Sequence, residues 1–375
     1  MDVEHDLLPA VVLILCLAIA WWSLRRMLSL RSKNYPAWRM LTERMVVSFV
    51  GIVAVAAAVS TGWNAIALYR FRQSPPGQIY EVNGHKMRLD CMGSGSPTIV
   101  LDAGLGNDGF IWGGVQPVLA KTTRVCSYDR AGFGWSDPLP DPRDANHIAA
   151  ELYGLLTIAR IGGPVVLMGH SISGIYMRAY AARYPGNVAG LIFVDGSTPW
   201  QNRNPAFRGV NPAGWLHRLG MLRYQATFVL GLPRVRGECS RSLPGFDARA
   251  SELQSEDFCR GAFSAVAAEW RNIDRSGEET VHTGPYGAVP ILIFSQDPAQ
   301  TTAEGSPRDM VNTWFTMQED LKNLSTRSRR IVAKGSGHMV QLARPDLLER
   351  EVSVFIAQIR GEAPEPTDYG TTVTE

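Results

Sequence analysis

The chain has 375 residues, 45% of them hydrophobic, and a formal net charge of +2. That length accommodates one large domain plus attachments. So small a net charge singles out no special partner and gives no reason to expect nucleic acid, which concentrated Lys and Arg would be needed to attract.

The mean conceals an asymmetry at the N-terminus. Residues 7–24 and 45–69 hold no charged residue, and each run is near the roughly 20 apolar residues that a helix needs to cross a bilayer core. The first run reads as a span rather than a cleaved signal peptide, because its leader Asp2, Glu4 and Asp6 is acidic and no small-x-small site follows cleanly. The loop 25–44 carries Arg25, Arg26, Arg31, Lys33, Arg39 and Arg44 against Glu43 alone, which assigns it to the cytoplasm by the positive-inside bias. Residues 1–74 are therefore expected to anchor the chain in an inner or plasma membrane through two spans, with everything after Arg70 on the extracytoplasmic side.

After a linker at Pro75-Pro76-Gly77, two strand-like runs at 78–82 and 85–91 flank Asn83-Gly84, a hairpin signal because both turn positions require positive φ. Strands are expected at 97–102 and 124–129, a helix at 145–160, a strand at 164–168, a helix to Tyr184 and a strand at 191–195. This alternation implies a largely parallel sheet covered on both faces. It breaks over 197–283, a segment long enough to form a cap or lid after the sixth strand, and resumes with a strand at 289–294, a helix near 309–321, a strand at 330–333 and a helix at 345–359. The core is thus expected from 75–196 and 284–360, with a disordered tail at 361–375.

Cys16 lies in the first span, leaving Cys91, Cys126, Cys239 and Cys259 in the outer portion. An even number suits an oxidising compartment. Cys239 with Cys259 would close a modest loop, and Cys91 with Cys126 would fall on neighbouring strands; buried thiols packing as small apolar groups are the alternative.

The run Val165-Val166-Leu167-Met168-Gly169-His170-Ser171-Ile172-Ser173-Gly174 reads as a buried strand, a tight turn carrying a serine, and a helix start. Ser171 has small residues two places either side, Gly169 and Ser173, as a strained strand-to-helix turn requires. Ser173 is a poorer nucleophile, since Ile175 stands two places beyond it. The plain alternative is a helix capped by either serine.

A serine nucleophile needs a base within hydrogen-bond reach and a group to orient that base. Lys334-Gly335-Ser336-Gly337-His338 places His338 on a glycine loop after the last strand. The adjacent His170 cannot easily turn its ring onto the Ser171 hydroxyl, because successive residues at the turn point different ways. Asp297, after the strand 289–294, is the first choice of orienting acid, with Asp195 at the end of the preceding strand as its rival. The order nucleophile, acid, base is then Ser171, Asp297, His338.

These motifs, together with Leu101-Asp102-Ala103-Gly104-Leu105-Gly106 and Tyr128-Asp129-Arg130-Ala131-Gly132-Phe133-Gly134-Trp135-Ser136, resemble the α/β-hydrolase superfamily over residues 78–359. The resemblance implies an α/β-hydrolase fold with a mostly parallel eight-stranded sheet and an oxyanion hole formed by the N–H groups of Leu105 and Ile172. The usual His-Gly of the oxyanion loop is replaced here by Ala103-Gly104, which removes a side chain and leaves the backbone donors. Gly104-Leu105-Gly106-Asn107-Asp108-Gly109 also fits a dinucleotide-binding fingerprint with Asp129 about 20 residues on. Against that stand Gly113-Gly114 and Pro117 in the helix that should receive the pyrophosphate, and the unexplained Ser171 and His338.

Within the insert, Arg203, Arg208, Arg218, Arg223, Arg234, Arg236, Arg241 and Arg249 stand against Glu238 and Asp247, interleaved with Trp200, Phe207, Trp215, Leu216, Leu219, Met221, Leu222 and Phe228. Such a segment suits either a lid resting on anionic lipid and admitting a small or lipid-like acyl substrate, or a solvated cap. The expectation is a membrane-anchored serine hydrolase of acyl esters that needs neither metal nor cofactor; there is no C-x-x-C or H-E-x-x-H spacing. Amidase, iminopeptidase or C–C bond hydrolase chemistry on the same fold, and a catalytically silent binding module, are the alternatives, while a serine nucleophile argues against dehalogenase chemistry.

Overall fold

The computed structural model describes residues 7–30, 35–139, 142–199, 201–210 and 215–375, and of 208–210 and 215–218 the backbone alone. The acidic leader, Arg31, Lys33 and Trp200 lie outside the described residues, as do the side chains of Arg208, Trp215, Leu216 and Arg218. The helices are α1 Leu8–Ser29, α2 Ala37–Arg72, α3 Gln116–Leu119, α4 Ala145–Ile158, α5 Ser173–Arg183, α6 Trp215–Val229, α7 Leu232–Val235, α8 Ala248–Arg260, α9 Phe263–Arg271, α10 Ile273–Thr280, α11 Pro298–Ala303, α12 Arg308–Asp320, α13 Val340–Ala343 and α14 Pro345–Ile359. The strands are β1 Gln78–Val82, β2 His85–Met92, β3 Ile99–Asp102, β4 Val125–Tyr128, β5 Val165–His170, β6 Val188–Val194, β7 Ile291–Ser295, β8 Ser328–Val332 and β9 Thr372–Thr374. The chain forms two compact units, one of Met1–Ser74, Gly214–Arg241 and Ser255–Gly261, the other of Pro75–Ala213, Ser242–Gln254 and Ala262–Glu375. The insert after β6 is therefore shared between the two units.

In the first unit, α1 and α2 pack antiparallel. Gly51 brings α2 close enough that a Cβ there would sit 3.1 Å from the Ser23 Cβ, Ser48 reaches the Met27 sulfur, and Arg26 Nε meets Glu43 at 2.8 Å near the connecting loop. Small residues of this kind let apolar helices approach closely. The polar side chains that interrupt the second apolar run are not idle: Asn64 donates to the Phe228 carbonyl at 3.0 Å and Ser60 to the Leu230 carbonyl at 2.5 Å. Those carbonyls belong to the last turn of α6 and its cap, which lack partners within the helix. Arg234 binds Asn64 Oδ1 at 3.0 Å and Glu256 through both terminal nitrogens, and Cys239 is disulfide-bonded to Cys259 in the same unit.

The second unit holds one sheet of order β1-β2-β4-β3-β5-β6-β7-β8-β9. β1 and β2 form the expected hairpin, with Asn83 at φ +50 and Gly84 at φ +82, and β2 meets β4 antiparallel, bringing Cys91 opposite Cys126 in a disulfide. All later pairings are parallel. Alternate residues along β5 serve opposite faces: Val165 and Leu167 pack with α4 and α5, Val166 and Met168 with α14 and Trp112. Each such side chain contributes roughly 1.5–3 kcal/mol by leaving water. The sheet has nine strands rather than eight, because the tail expected to be disordered returns as β9 and pairs Arg330 with Thr372 and Val332 with Thr374.

Candidate active site

β5 ends in a reversal so tight that Ser171 takes φ +55. A non-glycine residue in that region costs of order 1–2 kcal/mol and persists only where its surroundings fix it. Here the Ser171 N–H donates to Val194 O at 3.2 Å, and its carbonyl accepts from Gly174 N–H at 2.9 Å and Ser197 N–H at 2.7 Å. Gly169 is required, since a Cβ would fall 2.7 Å from the Ser173 Cβ and 2.9 Å from the Met177 sulfur. On the far side the demand for glycine falls on Gly174, where a Cβ would lie 2.7 Å from Ser197 O, while Ser173 fits and donates its hydroxyl to Ala103 O. The departure at the fifth position of the motif is thus accommodated one residue later.

Ser171 Oγ stands 3.0 Å from His338 Nε2, and His338 Nδ1 stands 2.6 Å from Asp195 Oδ2. A carboxylate only accepts, so Nδ1 carries the proton and Nε2 offers its lone pair to the serine hydroxyl. Asp195 is fully buried at φ +48, one residue beyond the His170–Val194 register pair of β5 and β6. Its other oxygen accepts from Gln296 N–H at 3.0 Å and Trp314 Nε1–H at 2.9 Å. The Trp314 ring meets the imidazole of His338 edge-on at 5.5 Å.

Asp297, the acid expected first, does not reach the imidazole. It caps α11 by accepting from Ala299 N–H at 2.9 Å, and its second oxygen accepts from Gly335 N–H at 2.9 Å. β7 lies one strand further from β5 than β6 does, so a residue past its end meets the backbone of the histidine loop while Asp195 lies beside Ser171. Trp314 was not foreseen; its only sequence signal is a tryptophan on the core face of a helix, whose indole N–H must find an acceptor when buried.

His170 packs against His338 with ring centroids 4.7 Å apart and places Nε2 3.1 Å from the His338 carbonyl. A carbonyl only accepts, so this ring is protonated on Nε2. Burial, and then the neighbouring His338, holds its pKa well below the ordinary histidine range, and the ring is neutral. Gly104 runs directly over it: a Cβ there would be 2.6 Å from His170 Nδ1 and 3.3 Å from the Ser171 Cβ.

The loop that continues to Leu105 is held from below by Arg130, which donates to Ala103 O at 2.5 Å, Gly104 O at 3.1 Å and Asp102 Oδ1 at 2.8 Å. The same guanidinium pairs with Glu269 of α9 through Nε and Nη2 at 2.7 and 3.0 Å. Burial would ease its proton away, but Glu269 and Asp102 outweigh that and hold it charged. In the neighbouring motif, Asp129 accepts from Gly109 and Trp135 N–H groups and from Arg88, all at 3.0 Å. This bonding leaves Asp129 engaged with loop backbone and arginine rather than presented to a ribose.

A mostly parallel sheet with a serine on the β5 turn, a histidine after β8 and an acid after β6 defines the hydrolase class of α/β proteins. The chain matches the model of the alpha/beta hydrolase family over residues 99–351, and it belongs to that family. An uncharacterized protein of Schizosaccharomyces pombe is 28% identical, over 72% of this chain and 54% of its own length; the chain spans about half the length of the first curated relative it matches. Among solved structures, a thermophilic esterase from Thermogutta terrifontis superimposes with a TM-score of 0.54 at 20% identity, covering 76% of this chain and 99% of the esterase. Epoxide hydrolase A from Mycobacterium thermoresistibile gives 0.55 at 20% identity, covering 76% and 98%. At such identities these structures establish the fold alone.

Proposed function

We propose that the chain is a serine hydrolase that cleaves acyl esters through an acyl-enzyme and is held at a membrane by α1 and α2. The observation that carries the chemistry is the continuous relay from Ser171 Oγ through His338 to Asp195, at 3.0 and 2.6 Å. As Ser171 Oγ bonds to the acyl carbon, its proton passes to His338 Nε2, and the carbonyl π electrons move to oxygen. Backbone N–H groups of Leu105 and Ile172 receive that oxyanion, each worth about 3–4 kcal/mol by analogy with measured deletions. The imidazolium, stabilised by Asp195, protonates the departing alkoxide; water then repeats the sequence on the acyl-enzyme and releases the acid.

Anchoring is supported by 18-residue stretches of α1 and α2 with mean hydropathies of 2.0 and 2.1, and by exposed apolar side chains on α2 such as Phe49 and Ile52, 68% and 69% exposed. The basic 25–44 loop and the two disulfides favour an extracytoplasmic catalytic unit in an inner or plasma membrane. The test is labelling of the full chain in membranes by a fluorophosphonate. Labelling is expected in the native chain and absent in Ser171→Ala; persistence in Ser171→Ala, or no labelling of folded native protein, overturns the assignment.

A further inference from the structure

The middle of α6 leaves apolar side chains open on its surface, although the helix touches α1 and the Tyr224 ring meets Phe228 edge-on. Leu219, Met221, Leu222 and Tyr224 are 54%, 44%, 63% and 48% exposed, and residues 219–224 include no buried position. Each of these half-open apolar side chains forgoes part of the stabilisation that full burial would supply. Apolar side chains left open in this way call for apolar surroundings.

Its place in the first unit indicates what those surroundings are. The C-terminal end of α6 is tied to α2 through Asn64 and Ser60, and Gly231, at φ +69, lets the chain close in so far that a Cβ would be 2.8 Å from both the Asn64 Cβ and Ser60 O. Starting from Met45, where the second apolar run begins, a rise of about 1.5 Å per residue puts Asn64 roughly 30 Å along, the thickness of a hydrocarbon core. The α1–α2 pairing agrees: continuing the register that sets Ser23 against Gly51 brings the start of α1 level with the turn that holds Asn64. α6 therefore departs from the anchor at the depth where the span leaves the hydrocarbon. The segment Gly214–Arg241 also carries five arginines against Glu238 alone, with Arg223 and Arg236 exposed.

We propose that α6 is an interfacial collar, lying at the outer headgroup–acyl boundary of the bilayer that α1 and α2 cross. Leu219, Met221, Leu222 and Tyr224 contact acyl chains, and Arg223 and Arg236 contact the phosphates of anionic phospholipid. The inference rests on the membrane-anchored reading above, and its test separates the two.

In a Cys16→Ser background that keeps both disulfides, a bimane label is placed through Leu222→Cys, through Met221→Cys as an independent neighbour, through Ile52→Cys on the span, or through Val354→Cys on the exposed face of α14. The full chain is reconstituted in phosphatidylcholine–phosphatidylglycerol vesicles with or without lipid bearing a nitroxide near the headgroup end of its acyl chain. The nitroxide lipid is expected to quench the labels at 52, 221 and 222 several-fold more than the label at 354, with iodide in the water showing the reverse order. If the span label is quenched and both α6 labels behave like the one at 354, the collar is refuted and the anchor stands. If the span label is not quenched, both fail. Protection of the α6 labels from nitroxide lipid and iodide alike also refutes the collar, because protein, such as a second copy, then covers the helix.

Discussion

Asp195→Asn exchanges one carboxylate oxygen for an NH2 group and leaves the shape of the site intact. The retained oxygen can still accept from Gln296 N–H and Trp314 Nε1–H, now at 3.0 and 2.9 Å, so two buried donors keep their partner. The new amide nitrogen then faces His338 Nδ1 across 2.6 Å and, being a donor, forces that nitrogen to accept. The imidazole proton moves to Nε2, where it points at Ser171 Oγ and removes the base. In a serine protease the equivalent tautomer error lowers kcat by about 10⁴-fold, or roughly 5.5 kcal/mol of transition-state stabilisation, and the same scale is expected here. Asp297→Asn should behave quite differently, since Asn caps helices about as well as Asp and the loss at Gly335 N–H is one partly exposed hydrogen bond, worth about 1 kcal/mol. Initial rates on a p-nitrophenyl ester, with the rate of fluorophosphonate labelling and the melting temperature of each variant, separate the two. A large loss in Asp297→Asn beside near-native activity in folded Asp195→Asn would refute this account of the site.

Two further outcomes are expected. Gly104→Ala puts a Cβ 2.6 Å from His170 Nδ1 and 3.3 Å from the Ser171 Cβ; the loop must shift, and kcat should fall by up to about 10²-fold in a protein that still folds, which near-native kcat would contradict. His170 is held neutral when folded, with its pKa below that of the unfolded chain. The unfolded state therefore binds more protons as pH falls below about 6.5, and stability should drop by up to about 1.4 kcal/mol per pH unit down to the folded pKa. Thermal melts of the native chain and His170→Gln across pH 7.5 to 5 check this; an unchanged slope in the variant would remove His170 as the cause.

Much of the fold was legible because its signals are local. Asn83-Gly84 fixes a hairpin by backbone geometry, and the β5 run is apolar from Val165 to Met168 and buried throughout because the sheet buries both faces. The serine and histidine were equally visible, each on a turn with glycines nearby: Gly174 answers the close approach of the Ser197 carbonyl, and Gly335 a φ of +74. The acid was not, because Ser171, Asp195, His338 and Ser171, Asp297, His338 run in the same chain order, and only lateral strand position distinguishes them. Residues 372–374 escaped notice because three residues give too little alternation to register, and their pairing is decided by the open edge of β8. The partition of the insert was hidden for a related reason: its attachment runs through helix-end carbonyls accepting from Ser60 and Asn64, a relation that leaves no periodic trace.

Arg130 has a consequence for the timing of disorder in the proposed catalytic cycle. Its guanidinium fastens Asp102, Ala103, Gly104 and Glu269, four residues from two distant stretches of chain, while the Ser173 hydroxyl takes a second grip on the Ala103 carbonyl. Backbone freedom worth roughly 1–2 kcal/mol per residue is thereby surrendered when the protein folds. None of it remains to be surrendered when a substrate arrives. In the proposed mechanism the loop would act as a fixed dipole array rather than an adaptable one, with little reorganisation left for the moment at which negative charge develops.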